Sequence, residues 1–128
     1  MTASISILPR ANAAARPHAS SAFERLARLE AMLERSIAAC QAGSEREIEG
    51  TLMQGVAMVA HLFGAADPAM TPDIRRRMAE AYDACLRGLS DACAGDIERL
   101  PLALGSVRAV RIALEPCRPG PSTMPRAA

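Results

Sequence analysis

The chain has 128 residues, half of them hydrophobic and 23% charged, so it is long enough for one domain with a real core and too short for two. Its formal charge of +1 gives no indication, at the level of the whole chain, of a surface for nucleic acid or for a membrane. Two phenylalanines, one tyrosine and no tryptophan leave the core to aliphatic side chains, which suits packed helices better than a sheet.

The first two predicted helices are separated by a short turn. Ser21 and Glu24 form a possible capping box, which predicts that the first helix begins near residue 20 or 21. Gly43 stops this helix, and Ser44 with Glu47 forms the capping box of the second. Such a short turn makes the two helices antiparallel. The apolar stripe of the first helix consists of Ala22, Leu26, Leu29, Leu33, Ile37 and Cys40.

The second helix, predicted to end near Phe63, contains the uncharged stretch Thr51–Gly64. About 14 residues are too few to span a bilayer, which needs roughly 20. We expect this stretch to be the central, buried helix of a bundle, because its apolar residues surround the helix axis. The alternative is that one of its faces is left for an apolar partner. His61 is expected to be a core or boundary histidine. The residues expected to face the core are Leu52, Val56, Val59 and Phe63.

The third helix is predicted to start with Thr71 as N-cap and Pro72 as its first residue, and to run to about Ala94. Its apolar stripe consists of Ile74, Met78, Tyr82, Cys85, Leu89 and Ala92. The run Arg75–Arg77 is interpreted as a solvated face, with an acidic partner as the alternative.

The fourth helix is predicted to follow Gly95, with Asp96 as its cap. Pro101 makes its first turn irregular or restarts the helix, and Pro116 ends it. Its apolar stripe consists of Leu100, Leu104, Val107, Val110 and Leu114.

These elements predict an all-α protein, an antiparallel up-down four-helix bundle over residues 19–115. Residues 1–18 are predicted to be a flexible tail, which could dock on the bundle through Ile5, Ile7 and Leu8. Residues 116–128 are rich in proline and are predicted to be disordered.

Motifs that would indicate catalysis are missing from the sequence. It contains no Gly-rich phosphate loop, no H-E-x-x-H, no nucleophile elbow and no Glu-x-x-His pair. The acidic residues lie at helix caps or on outer faces, and Tyr82 is expected to be buried with its hydroxyl near the surface. We therefore predict that the protein is not an enzyme and has no catalytic, cofactor-binding or metal-binding residue.

The four cysteines also indicate a structural role. They show no C-x-x-C spacing and no secretory signal segment accompanies them, which favours free thiols in a reducing cytosol. Cys85 and Cys93 are separated by about 12 Å along one helix, which exceeds the reach of a disulfide. We expect Cys40, Cys85 and Cys93 to be core or boundary residues and Cys117 to lie in the tail.

Parts of the chain resemble the flagellar secretion chaperone FliS family. The residues that carry the resemblance in the third helix are Ala81-Tyr82-Asp83, Leu86, Leu89, Ala92 and the turn Gly95-Asp96. Upstream, the similar positions are Ala15–Pro17, Leu26, Leu29, Met32, Leu33, and His61-Leu62-Phe63 followed by Ala66-Asp67. The chain departs from the family where Leu29-Glu30 replaces a Leu-Tyr-Asp pattern. It also lacks the N-terminal tyrosine and the tryptophan that closes the fourth helix, so it resembles a divergent member.

The resemblance implies a cytoplasmic export chaperone. Members of this family bind the C-terminal segment of flagellin, prevent its premature polymerisation and assist its delivery to the flagellar type III export apparatus. The implied partners are therefore flagellin and a component of the export gate, with no nucleic acid, no membrane insertion and no cofactor. Binding would use apolar surface, and the predicted partner-binding residues are Met53, Met58, Leu62, Tyr82, Leu86 and Leu89.

The main alternative is a self-associating helical-bundle adaptor or structural protein without catalytic activity. The two interpretations leave the oligomeric state open between monomer and homodimer.

Overall fold

The computed structural model describes residues 18–65 and 70–118. These residues form four α-helices and no strand. They are α1 (His18–Ala42), α2 (Glu45–Gly64), α3 (Pro72–Cys93) and α4 (Arg99–Leu114), and a short 3-10 helix, η1 (Glu115–Cys117), follows α4. The predicted all-α bundle is confirmed. The tail before residue 18, with its proposed docking residues, and the tail after residue 118 lie outside the described residues.

Contacts near the helix ends are consistent with the predicted antiparallel arrangement of α1 with α2 and of α3 with α4. Arg25, near the start of α1, donates a hydrogen bond to the carbonyl of Ala65, just past the end of α2. Gly88, late in α3, lies against Ala103, early in α4, so closely that a Cβ on the glycine would be 2.7 Å from the alanine Cβ. α1 and α3 each pack against all three other helices, and the α3–α4 contact is the most extensive.

Two helix starts were predicted correctly from their capping residues. The Ser44 hydroxyl accepts a hydrogen bond from the Glu47 backbone N–H at 3.2 Å, and the Glu47 carboxylate accepts one from the Ser44 N–H at 2.7 Å. The Thr71 hydroxyl accepts from the Ile74 N–H at 3.3 Å, with Pro72 in the first turn. Both caps satisfy backbone donors that have no partner inside the helix.

Gly95 ends α3 as predicted, with a φ of +107° that favours glycine. Its N–H bonds to the Ala92 carbonyl, and the Asp96 N–H bonds to the Asp91 carbonyl, both at 2.9 Å. This pair of bonds is the Schellman motif, which satisfies the last carbonyls of the helix.

The prediction that Asp96 caps α4 is wrong. The motif at Gly95 uses the backbone of Asp96, and α4 begins three residues later, at Arg99, with Glu98 as an N-cap that makes no side-chain cap bond. The Asp96 carboxylate instead accepts a hydrogen bond from Arg99 at 3.2 Å. Pro101 therefore falls in the first helical turn, where a missing N–H costs no intrahelical bond.

Both outer boundaries of the bundle also differ from the prediction. α1 begins at His18, so Ser21 lies inside the helix and is not its N-cap; no helix breaker separates these two residues. At the other end the chain continues in η1, and the Arg118 guanidinium lies 3.9 Å from the centre of the Phe23 ring. Residues 116–118, assigned to the disordered tail, therefore belong to the end of the bundle.

The predicted apolar stripes of α1, α3 and α4 are confirmed as the core. All the predicted residues of α3 and α4 are buried, and in α1 only Ile37 and Cys40 are partly exposed. Ser36, which was not predicted, is fully buried, and its hydroxyl bonds to the Met32 carbonyl at 2.9 Å.

The position of α2 differs from the prediction. This helix packs mainly against α1 and α3 and buries only one face, formed by Leu52, Gly55, Val59 and Leu62. Phe63 is 58% exposed and Val56 is half-buried, so two of the four residues expected to face the core are wrong or partly wrong. His61, expected to be a core or boundary histidine, is exposed. Gly55 explains why α2 is rotated about its axis relative to the prediction. A Cβ at this position would lie 2.9 Å from Met32 Sδ, so α2 packs closely against α1 where the side chain is missing.

Candidate functional site

The rotation of α2 leaves an apolar edge of this helix exposed. Met53, Val56, Ala60 and Phe63 follow each other at steps of three, four and three residues, which places them on one side of a helix. Met53 and Phe63 are each 58% exposed. The edge is about 15 Å long, since ten residues separate its ends at a rise of about 1.5 Å each.

The facing wall comes from α3. Tyr82, Leu86 and Cys93 are spaced so that they share one side of this helix, and Leu86 is 38% exposed. The rings of Tyr82 and Phe63 meet edge to face, with their centres 5.8 Å apart and an interplanar angle of 86°. This contact closes one end of a groove between α2 and α3, which we call the α2–α3 groove.

The other end of the α2–α3 groove widens into a cleft of about 600 Å³. Leu52, Met53, Cys93 and Ile97 contribute apolar atoms to its lining, and Glu45 and Glu49 are among its charged residues. Ile97 lies in the turn after α3 and is exposed. Exposed apolar side chains that converge on one cleft are typical of a surface that binds another protein.

Charge is restricted to the ends of the α2–α3 groove. From residue 50 to Gly64, α2 has no acidic or basic side chain apart from His61. Glu45 and Glu49 lie at the Met53 end. At the opposite end Arg75, in the first turn of α3, donates a hydrogen bond to the Met70 carbonyl at 2.7 Å. The groove therefore has an apolar centre, with two carboxylates and the Arg46 guanidinium at one end and the Arg75 guanidinium towards the other.

Arg25 of α1 fixes the closed end of the groove. Its guanidinium donates to the Leu62 carbonyl at 2.9 Å, to the Tyr82 hydroxyl at 3.2 Å and to the Ala65 carbonyl at 2.6 Å. One side chain thus binds the last turn of α2 and the middle of α3. The Tyr82 ring is buried, as expected, and its hydroxyl is satisfied by this arginine.

Three of the six predicted partner-binding residues do not lie on the surface. Leu62, Tyr82 and Leu89 are buried in the core, because the inward face of α2 passes through Leu62 and that of α3 through the other two. These three side chains are therefore largely inaccessible to a partner in the folded bundle.

The other three predicted residues are accessible to different degrees. Met53 and Leu86 are exposed on the two walls of the α2–α3 groove. Met58 is half-buried and faces α1, where it lines a small recess with Met32 and Arg35. Met53 and Leu86 are therefore both exposed on this side of the bundle, whereas Met58 faces α1.

Sequence reasoning missed Phe63 and Ile97 as surface residues. Phe63 lies in the last turn of α2, and its position beside Gly64 was the available signal. Ile97 lies in the turn between two helices, where no periodic pattern applies.

The thiols have very different environments. Burial raises the pKa of the Cys85 thiol to about 12, so it stays protonated and unreactive. Burial also raises the pKa of the half-buried Cys40. Cys93 and Cys117 are exposed, so Cys93 is not the boundary residue that was expected. All four are free thiols in the part of the chain that the structure describes.

No group of three or more histidine, cysteine, aspartate or glutamate side chains capable of holding a metal ion occurs within residues 18–65 and 70–118. None of the described helices is both long and apolar enough to cross a membrane.

A second cleft, between α3 and α4, contains charged side chains that pair with each other, as in Arg87 and Asp83 at 3.0 Å.

The fold and the groove define a small four-helix bundle whose candidate site is an apolar surface. No family model matches this sequence, and no match was found among curated proteins or solved structures.

Proposed function

We propose that the protein binds an apolar segment of another protein in the α2–α3 groove and carries out no catalysis. The observation that supports this proposal is the uncharged wall of α2, where Met53 and Phe63 are both more than half exposed opposite Leu86. Exposed apolar residues in one contiguous surface favour association, because burying them removes apolar area from water.

The shape of the groove favours a helix or an extended segment as the ligand. A groove of about 15 Å fits roughly ten residues of a helix, with anchors at spacings of three and four. Met53 offers a flexible, polarisable surface that adapts to branched partner side chains. Glu45 and Glu49 outnumber Arg46 in the lining near Met53, and this net negative charge favours a basic residue at that end of the ligand.

As the specific partner we propose the C-terminal segment of flagellin. The support is the resemblance of residues 81–83, Leu86, Leu89 and the turn at Gly95 to the FliS family. On this proposal the protein is a cytoplasmic export chaperone that prevents premature polymerisation of flagellin and assists its delivery to the type III export apparatus. A component of the export gate would be a second partner.

The test is titration calorimetry with a peptide of the flagellin C-terminal segment. Met53→Glu and Leu86→Glu should leave folding within about 0.5 kcal/mol, because both side chains are exposed. Each should weaken binding about tenfold or more, which corresponds to ~1.4 kcal/mol. Ile112→Glu, on the exposed side of α4, is the matched control and should bind as the wild type does.

Two results would contradict the proposal. Wild-type affinity in both groove variants would remove the groove as the binding site. The second result combines two observations: the flagellin segment does not bind, but another amphipathic helix slows the modification of Cys93 by a maleimide. This result would support the groove as a binding site and refute flagellin as the partner. Cys93 is exposed in the groove, and Cys117 lies outside it and serves as the internal control.

A substitution at Met58 distinguishes an effect on the stability of the bundle from an effect on partner binding. Because this side chain is half-buried between α2 and α1, Met58→Glu should lower the thermal midpoint and should not act through partner binding.

A further inference from the structure

The charges at the two ends of the α2–α3 groove have opposite signs. At the Met53 end the lining contains the carboxylates of Glu45 and Glu49 and the guanidinium of Arg46, so this end has a net negative charge. None of these three side chains forms an ion pair in the part of the chain that the structure describes. Their charges therefore act on whatever binds in the cleft.

Glu49 is a carboxylate that the stability of α2 itself does not explain. Glu45 lies in the first turn of α2, where the helix dipole favours a negative charge. Glu49 lies beyond that turn, four residues after Glu45, and two like charges at this spacing destabilise a helix. A cation of a bound ligand near both carboxylates would offset this repulsion.

The charge at the closed end of the groove is positive. The half-buried guanidinium of Arg25 donates hydrogen bonds to the Leu62 and Ala65 carbonyls and to the Tyr82 hydroxyl, which are all neutral acceptors. The Arg75 guanidinium lies towards this end as well. Salt screens a partly buried charge less than an exposed one, so this end of the groove attracts a negative charge of the ligand.

The dipoles of the two walls do not select a direction for a ligand helix. Phe63 of α2 contacts Tyr82 of α3. Ten residues before Phe63, Met53 lines the same cleft as Cys93, which comes eleven residues after Tyr82. The two walls thus pass along the groove in opposite directions and their dipoles offset each other. The charged side chains at the ends of the groove are what distinguish one direction from the other.

A helical ligand has its own preference for the placement of its charges. Acidic side chains stabilise the first turn of a helix and basic side chains the last turn, because they complement the macrodipole. In this order the basic end matches Glu45 and Glu49, and the acidic end matches Arg25. We infer that the groove accepts an amphipathic helical segment with an acidic first turn and a basic last turn, which runs parallel to α3 and antiparallel to α2. This inference rests on the function proposed above.

The positions of the groove residues also give the spacing of the ligand's side chains. The apolar edge from Met53 to Phe63 is about 15 Å long, which corresponds to about ten residues of a ligand helix. Glu49 lies four residues before Met53, which adds about 6 Å along α2. The basic residue of the ligand should therefore follow its apolar stripe by about one helical turn.

The first test is titration calorimetry of the full chain at low ionic strength with two designed helical peptides of about 16 residues. The peptides have the same apolar stripe and differ only in the order of their charges: one has glutamates in the first turn and lysines in the last, and the other has the reverse. The first peptide should bind the wild type about fivefold more tightly or better, because its charges match both ends of the groove.

A charge reversal in the groove separates this match from the intrinsic helicity of the peptides. Glu49→Arg should lower the ratio of the two affinities about threefold or more, and any difference in peptide helicity cancels when the ratios are compared. Asp83→Arg is the matched control, because it makes the same change in net charge at an exposed site on the other side of α3 and should leave the ratio unchanged. Circular dichroism of both variants checks that they fold.

The second test measures the direction of the ligand through Cys93, the exposed thiol at the Met53 end. In a Cys117→Ser background, the first peptide has one cysteine, activated as a mixed disulfide with a small thiol, either in its last turn or in its first. The Cys93 thiolate displaces the small thiol and forms a disulfide with the peptide. The peptide activated in its last turn should react about tenfold faster, because binding raises its effective concentration at Cys93. In urea the two should react at equal rates.

The outcomes separate this inference from the function on which it rests. If neither peptide binds the wild type, both the proposed groove function and the inferred direction are overturned. If the peptides bind but the one activated in its first turn reacts with Cys93 as fast or faster, the groove stands and the direction is wrong. An affinity ratio that is the same in Glu49→Arg and in the wild type also overturns the inferred charge order.

Discussion

Replacement of Arg25 by methionine should destabilise the bundle and, at the same time, remove the hydrogen bonds that hold the closed end of the α2–α3 groove. The side chain makes hydrogen bonds to the Leu62 carbonyl, the Tyr82 hydroxyl and the Ala65 carbonyl. Methionine keeps most of the aliphatic volume but removes every donor. The hydroxyl of the buried Tyr82 then loses its hydrogen bond from Arg25, and the last turn of α2 is no longer bound to Arg25 of α1.

The size of the effect follows from the burial of each bond. Hydrogen bonds from a charged donor contribute ~1.5–3 kcal/mol each. The bond to the Ala65 carbonyl is exposed and contributes little, whereas the bonds to Leu62 and Tyr82 are partly buried. We expect a loss of roughly 2–4 kcal/mol, which in a domain of this size lowers the thermal midpoint by about 10–20 °C.

The assay is thermal and urea denaturation followed by circular dichroism, with Arg28→Met as the control. Arg28 is exposed on the same helix, so its replacement should change stability by less than about 0.5 kcal/mol. Tyr82→Phe removes one hydroxyl and should cost about 1 kcal/mol, since the arginine keeps its carbonyl partners. If Arg25→Met is as stable as Arg28→Met, the hydrogen-bond argument is wrong.

Three further predictions concern packing, thiol reactivity and pH. Gly88→Ala should destabilise by about 1–3 kcal/mol in denaturant titrations, because its Cβ would collide with Ala103. In the native protein a maleimide should modify Cys93 quickly and leave Cys85 intact until the chain is unfolded, because burial raises the pKa of Cys85 to about 12. The pKa of Glu115 is lowered mainly by a hydrogen bond from a neighbouring arginine. The stabilisation that this carboxylate gives the folded protein is therefore complete above pH 4.5 and is lost as the pH falls through the lowered pKa. Glu115→Gln should therefore lower the thermal midpoint at neutral pH and have no effect in stronger acid.

The parts of the fold that depend on local chemistry were predictable from the sequence. The caps at Ser44 and Thr71 and the left-handed residue at Gly95 involve contacts within a few residues, and each was predicted correctly. The stripes of α3 and α4 were also correct, because their spacing allows a single inward face. The prediction that Asp96 caps α4 was wrong because two local motifs, the cap of α4 and the Schellman motif at the end of α3, compete for this residue. The Schellman motif determined its backbone conformation.

The candidate site was harder to predict because it depends on the rotation of one helix. The stretch from residue 51 to 64 is apolar on all sides, so periodicity alone does not select its inward face. A glycine at position 55, packed against Met32 and Leu89, sets the rotation through contacts between three helices. As a result Phe63 lies at the surface, and Leu62, a predicted partner contact, lies in the core.

The single tyrosine gives the protein an intrinsic optical reporter at the point where three helices meet. With no tryptophan in the chain, no energy transfer obscures the ultraviolet emission of Tyr82. Its hydroxyl bonds to Arg25 of α1 and its ring touches Phe63 of α2, so separation of α1 or α2 from α3 changes the phenol's surroundings. Time-resolved emission of the unlabelled protein would therefore follow both the unfolding of the bundle and the arrival of a tryptophan-free ligand in the groove.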